Sequence, residues 1–326
     1  HLLPLAFNEN SPHLPISVGS RQTVRTKPKR FSKRHCSTGE SEIVKIALIG
    51  SGGQLAADLA VALAGHEVVG FARPQFDLHD PDSIARGLTG THWDAVINTA
   101  AYNLVDQAEK DPADAFATNA IGSANLARFC GQAGIRLFHY STDFVFGLDA
   151  DRKTPWSETD TPGPVSIYGI SKLAGEHAIR AYASNHLVIR TCGLYGHKGS
   201  RGKGGNFVET MLRLADSGKP IRVVGDQRCT PSCTRDIADA TARLLETSAS
   251  GVIHLTNSGD CTWFEFAQTI FDLAQRKVDC QAITSSQFNA PAKRPPYSVL
   301  SLKKLAELVG TPPDWRDALA RYLLAR

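Results

Sequence analysis

The sequence predicts an α/β fold built on a doubly wound parallel sheet, with a smaller C-terminal lobe that holds a substrate. Three features point there: short, continuous apolar runs alternate with helix-period segments, the first run ends in a glycine turn, and the alternation loosens after about residue 190. Unbroken apolar strands are what a sheet covered on both faces requires. Residues 43–49 make the first strand, stopped at Gly50, and helix-period residues follow through Ala64. Residues 67–71 make the second strand, and a short helix near 81–88 leads to the third, at 94–98. A helix over 112–133 precedes a fourth strand at 135–140, and a helix over about 166–183 precedes a strand at 187–190.

Composition narrows the function classes. The 326 residues are 42% hydrophobic and 21% charged, enough to bury a core without staples. No apolar run approaches the ~18–20 residues that a membrane span needs. Seven cysteines, none in a CxxC pair (Cys229 and Cys233 are the nearest), read as reduced thiols in a cytoplasmic protein. The net charge of +4 is local: residues 1–41 hold seven basic and two acidic residues, leaving 29 basic and 30 acidic in the rest. The expected partner is therefore a small molecule, with neither nucleic acid nor membrane. Residues 1–41 show no helical or strand period and read as a disordered basic extension. The expectation for it is an extension without function, from upstream translation or truncation. A transit peptide would need an amphipathic face that is missing here, and a basic arm is the remaining alternative.

The chemistry-bearing residues follow the strand ends. Gly50-Ser51-Gly52-Gly53-Gln54-Leu55-Ala56 joins a strand to a helix, so small residues let the backbone approach a pyrophosphate while the helix N-terminus faces it. The spacing of Gly50, Gly53 and Ala56 departs from G-x-G-x-x-G. A Rossmann-type NAD(P)-binding domain over 42–190 is the expectation, with 191–326 mainly a substrate-binding lobe from which some segments return to the first domain. The tip of the second strand, Phe71-Ala72-Arg73-Pro74, lacks the acid that binds the ribose 2′-hydroxyl of NAD. Arg73 suits a 2′-phosphate instead, which favours NADPH and leaves NADH as the secondary cofactor. Tyr168 and Lys172 share one helix face, and Thr142 sits just beyond the fourth strand, where ligands bind in such sheets. Together they suit ketone reduction: an acid for the developing alkoxide, a donor to orient the carbonyl, and a cation to lower the tyrosine pKa.

The strings Gly50–Leu55, Asn98–Glu109, Ser141-Thr142-Asp143-Phe144-Val145-Phe146 and Tyr168–Glu176 resemble the extended short-chain dehydrogenase/reductases, and within them the dTDP-4-dehydrorhamnose reductase family. Asn206-Phe207-Val208, His254–Gly259 and Ala292-Lys293-Arg294-Pro295 are similar to the same family, so the resemblance covers about residues 43–326. It implies NADPH-dependent reduction of the C4 ketone of dTDP-4-dehydro-β-L-rhamnose, in the synthesis of dTDP-L-rhamnose for cell-surface polysaccharide. By the same resemblance Tyr168 donates the proton, Lys172 binds the nicotinamide ribose, and Thr142 hydrogen-bonds the keto oxygen. Gly53, Gln54 and Leu55 lie along the pyrophosphate. Asp77, Leu78, Ala101, Tyr102 and Asn103 flank adenine and ribose, and Tyr140 lines the crevice. Asp143 and Asn206 belong to the sugar side, and Arg294 to the nucleotide diphosphate. Some members hold Mg²⁺ with carboxylates at a dimer interface; no such cluster is evident, so Mg²⁺ stays open and a homodimer is compatible. Many members carry Trp two residues after the Arg-Thr that follows the sheet strand. Here Arg190-Thr191-Cys192-Gly193 has glycine, so the sugar wall is built otherwise or the substrate differs.

Rival activities are weighed by the same residues. A sister dehydratase string is Thr-Asp-Glu, whereas this chain has Thr142-Asp143-Phe144. Epimerases keep NAD, and the acid it needs is missing after the second strand. A non-catalytic, nucleotide-sugar- or NADP-binding regulatory subunit is the alternative from another class, opposed by the intact Thr142, Tyr168 and Lys172. The eleven histidines show no zinc spacing. Residues 199–205 are Gly-rich without a Walker spacing and read as a mobile loop over the substrate. Trp263, Phe264 and Phe266 read as core packing.

Overall fold

Six apolar runs form one parallel sheet in the computed structural model, which describes residues 43–198 and 205–326. The basic extension and the glycine loop over 199–204 lie outside the described residues. The strands are β1 (Lys45–Ile49), β2 (Glu67–Phe71), β3 (Ala95–Asn98), β4 (Arg136–Thr142), β5 (His186–Thr191) and β6 (Gly251–His254). Their order is β6-β5-β4-β3-β1-β2, with every pairing parallel. The order reverses direction at β1, between β2 and β3, and a crevice opens there beyond the strand ends.

Strand periodicity explains the double winding. Ile46 and Leu48 of β1 point to one face with Phe138 and Tyr140 of β4 and Leu187 and Ile189 of β5. There they meet α1 (Gln54–Ala62) and a returning helix, Thr234–Leu245. Ala47, Ile49, Leu137 and Val188 point to the other face, against Ile84 and Leu88 of the helix Pro81–Leu88 and Leu126 and Cys130 of Ser123–Ala133. Alternate residues of a strand face opposite sides, so a run buried on both must be apolar throughout. A separate core gathers Val208, Met211, Phe266, Ile270, Trp315 and Leu319 from the helices Phe207–Ala215, Trp263–Leu273 and Trp315–Leu324.

Two elements differ most from expectation, and a sixth strand, Gly251–His254, joins the sheet from the later part of the chain. The helix expected over 112–133 is interrupted by a π-helical segment, Ala117–Gly122, which turns Asn119 inward. Its side chain accepts from Tyr102 N and donates to Tyr102 O and Ser171 Oγ, each at 2.9 Å. Such segments sit where a side chain must be re-aimed. The fourth strand runs two residues further than expected, because Ser141 and Thr142 continue the ladder opposite Arg190 and Thr191.

His254, at the end of β6, is fully buried, with Nδ1 at 3.1 Å from Trp156 O. Burial, with the nearby Arg190 charge, pushes its pKa down to about 3. The folded protein therefore keeps it neutral while the unfolded chain protonates it below its ordinary 6.5, so its contribution is lost as pH falls from 6.5 toward 3. Acidification from about pH 7 to about pH 5 should remove about 2 kcal/mol through this residue. Thermal melts across that range check it; an unchanged slope in His254→Gln would remove the assignment.

Candidate active site

A cleft of about 760 Å³ runs along the C-terminal ends of the parallel strands, within the size range of small-molecule sites. At its β1 end stands the glycine turn. Gly50 has φ +80°, and a Cβ there would lie 2.7 Å from Ala100 N and 2.9 Å from Thr99 Oγ1. Only glycine fits that cradle. Gly53 caps α1 without a side-chain hydrogen bond, and no acidic residue occupies the first turn. The free N–H groups and the positive end of the helix dipole are thus left for an anion. Gln54 Nε2 donates to Leu194 O at 3.1 Å, tying the turn to the segment after β5. These residues fit a dinucleotide pyrophosphate on their own geometry.

Gly50, Gly53, Gln54, Leu55, Arg73, Asp77, Leu78, Ala101 and Asn103 all line the cleft. Arg73 is exposed at the tip of β2, and among the described residues it has no carboxylate partner. Asp77 accepts from His79 N at 3.0 Å, and Leu78 is buried. Tyr102 is not among the lining residues; its backbone is instead held by Asn119.

Thr142, Asp143, Tyr140, Tyr168 and Lys172 meet further along the cleft. The helix Ile167–Tyr182, α2 here, is capped by Ser166 Oγ on Gly169 N at 3.2 Å, which places Tyr168 and Lys172 in its first turns. Thr142 lies beside the Tyr168 hydroxyl, and Phe144 packs edge-on to its ring at 5.8 Å. Tyr168 keeps some surface open to the cleft, yet its phenol is densely surrounded. Burial pushes its pKa up to about 12, Thr142 pulling it down and the Asp143 charge raising it further. Lys172 Nζ donates to Tyr140 O at 2.6 Å, and burial pulls its pKa down to about 8 against the opposing charge of Glu176. The expected lowering of Tyr168 by Lys172 is therefore not seen: burial dominates the phenol, and the ammonium is engaged by a backbone carbonyl. The Tyr140 hydroxyl is likewise engaged, 2.6 Å from Thr241 Oγ1.

Asp143 is 2% exposed, and Ser298 Oγ donates to it at 2.5 Å with Thr142 Oγ1 at 3.2 Å. Burial raises its pKa despite these donors. Asn206 lines the cleft, but its side chain caps the helix Phe207–Ala215 through Glu209 N and donates to Gly196 O, both at 3.0 Å. Arg294 is not among the lining residues and is paired with Asp106 at 2.9 Å. Among the described residues no cluster of three or more His, Cys, Asp or Glu is placed to hold a metal, and no helix is long and apolar enough to cross a membrane.

Trp263 packs against the second core, as expected, and also faces the cleft. Phe266 is buried in the core, but Trp263 is half-buried and lines the cleft beside Gly193, Phe207 and Thr210. Nothing in the local pattern marks it, because its neighbours are aromatic for packing reasons and only the fold brings it over Gly193. Glu176 was not singled out from the sequence, although it follows Lys172 by one helical turn. It is held by Arg190 at 2.7 and 2.9 Å and by Ser141 Oγ at 2.5 Å.

The family profile described as RmlD substrate binding domain matches residues 44–325. The chain is 37% identical over 286 residues to the spore coat polysaccharide biosynthesis protein SpsK of Bacillus subtilis, spanning 87% of this chain and 98% of that one. It is 39% identical over 280 residues to the dTDP-4-dehydrorhamnose reductase of Mycolicibacterium smegmatis, spanning 84% of each. It superposes with a TM-score of 0.82 and 33% identity on the crystal structure of dTDP-4-dehydrorhamnose reductase from Bacillus anthracis in complex with NADP, covering 87% of this chain and 100% of that one. A glycine turn at a switch point, a Thr–Tyr–Lys set in one cleft and identity of this extent along both lobes converge: the chain belongs to the RmlD family, that of the dTDP-4-dehydrorhamnose reductases.

Proposed function

We propose that this protein is an NADPH-dependent reductase of the C4 ketone of dTDP-4-dehydro-β-L-rhamnose, yielding dTDP-L-rhamnose. The observation that carries the reading is the meeting of Thr142, Tyr168 and Lys172 in the cleft that the glycine turn also lines. NADPH, when bound, supplies the hydride. The N-terminus of α1 and the turn from Gly50 to Gly53 hold its pyrophosphate. Thr142 donates a hydrogen bond to the keto oxygen and sets its position against Tyr168. With its pKa pushed up to about 12, Tyr168 stays protonated at neutral pH and is an acid rather than a base. An alkoxide is far more basic than a phenolate, so transfer of the Tyr168 proton to the nascent hydroxyl runs downhill. Lys172 keeps a positive charge one turn away, and Asp143, fixed by Ser298, walls the sugar side. The lobe built around the helices from 207 to 324 closes the substrate end. A cytoplasmic location suits such a biosynthetic step.

The test is NADPH oxidation, read from the absorbance of the reduced nicotinamide, with enzymatically generated dTDP-4-dehydro-L-rhamnose. Turnover supports the reading; its absence while NADPH still binds would replace the sugar, and its absence without NADPH binding would overturn the reductase assignment. Arg73 supplies the cofactor choice. Arg73→Ala should weaken NADPH by roughly ten- to a hundredfold, the range of a charged hydrogen bond, and leave NADH unchanged. Equal loss for both cofactors would remove that role.

A further inference from the structure

The sheet gives the cleft a direction. The glycine turn and Arg73 stand at the tips of β1 and β2, and Thr142 at the tip of β4. Thr142 pairs in register with Thr191 of β5, so Gly193 lies two residues past that point, on the side away from β1. With the dinucleotide on the β1–β2 side and the reacting carbonyl at Thr142 and Tyr168, the sugar must extend toward Gly193.

Trp263 closes that end. It is the first residue of its helix, whose start is locked by a capping box: Glu265 N donates to Thr262 Oγ1 at 3.1 Å, and Thr262 N donates to Glu265 at 2.7 Å. Arg228 clasps Glu265 at 3.2 Å and Asp260 at 2.5 Å. Phe207 backs the indole, ring centroids 4.8 Å apart at 47°. Gly193 has φ +52°, and a Cβ there would come within 3.2 Å of the indole Cη2 and of Pro231 Cα. Any side chain at 193 would be strained by that φ and would crowd the indole. A rigidly held, half-buried aromatic lining a cleft is a surface for the C–H face of a sugar ring.

We propose that Trp263 is the sugar-recognition residue of this enzyme, packing against the deoxyhexose ring so that C4 faces Thr142 and Tyr168, and that Gly193 is glycine to leave the indole this place. The inference rests on the nucleotide-sugar reading above. Trp263→Ala should raise KM for the keto-sugar nucleotide about tenfold or more, lower kcat less, and leave NADPH affinity unchanged. Trp263→Phe should recover most of the loss. Gly193→Ala should raise the same KM in the parent and add less in the Trp263→Ala background, since the contact with the indole is shared while the φ strain and the contact with Pro231 remain.

Direct binding separates the outcomes. Trp93, Trp156 and Trp315 are buried at 4%, 5% and 0% exposure, so Trp263 is the tryptophan placed to respond to a ligand. Titration with dTDP-L-rhamnose should change the intrinsic fluorescence of the parent and not that of Trp263→Phe. Trp263→Ala should bind dTDP-L-rhamnose more weakly and dTDP equally well. Equal binding of dTDP-L-rhamnose by parent and Trp263→Ala would overturn the inference alone. Equal weakening of dTDP and dTDP-L-rhamnose would move Trp263 to the nucleotide and overturn it too. Failure of the parent to bind either would overturn the reading beneath it.

Discussion

Tyr168→Phe should lower kcat by roughly 10²–10⁴-fold, the range for loss of a positioned general acid, with NADPH affinity and melting temperature close to those of the parent. The phenol hydroxyl is the atom the change removes, and it stands beside Thr142 in the cleft. The ring that packs against Phe144 at 5.8 Å remains. Retained turnover in this variant would show that protonation comes from elsewhere. The pH profile adds a second reading of the same pair. Lys172 has its pKa depressed to about 8 by burial, so its ammonium is present below that value and lost as pH rises through it. Tyr168, pushed up to about 12, stays protonated throughout. The parent's kcat/KM for NADPH, which reports the free enzyme, should therefore be level near neutral pH and fall above about pH 8. Lys172→Met should be slow at every pH and lack that limb. A limb that survives in Lys172→Met would assign it to another group.

Glu176→Leu should destabilise the fold by about 3–5 kcal/mol, as when one partner of a buried ion pair is removed. Glu176 and Arg190 are 2% and 3% exposed, and the carboxylate takes Nε and Nη2 of the guanidinium in a bidentate pairing at 2.9 and 2.7 Å. Arg190 Nη1 already has no hydrogen-bond partner among the described residues. Without Glu176 the whole cation would be buried unpaired. At about 2–4 °C per kcal/mol for a large domain, the melting temperature should drop by roughly 6–20 °C. Adding Arg190→Met should recover much of the loss, because two matched apolar groups need no partner. A double variant no more stable than Glu176→Leu alone would show that the pair contributes through packing instead. The pair joins β5 to α2, so it also fixes the helix that carries Tyr168 and Lys172.

Much of this architecture was legible because the physics was local. Continuous apolar runs such as 46–49, short and closed by a glycine turn, read as strands covered on both faces, and Gly50 was recognisable because a tight turn between strand and helix leaves no room for a Cβ. Tyr168 and Lys172 were readable because four residues on a helix return to one face. Boundaries were less accurate where the deciding partner was remote: β4 extends through Thr142 only because Thr191 lies beside it. The π-helical segment at Ala117–Gly122 likewise follows from Asn119 reaching Tyr102 and Ser171.

The sequence alone determined the parallel sheet and its double winding, the glycine turn between β1 and α1, the shared helix face of Tyr168 and Lys172, and the missing acid at Arg73. Each depends on residue types at fixed short spacings. Tertiary structure alone decided which expected residues reach the cleft: Arg294 is turned to Asp106 and Asn206 is committed to a helix cap. It alone set the acid–base character of the pair, because the pKa of a phenol or an ammonium follows from how far folding removes it from water. It also placed Trp263 over Gly193, seventy residues distant in the chain. Two residues that far apart share no periodicity, and only the packing of the second lobe against the sheet brings them together.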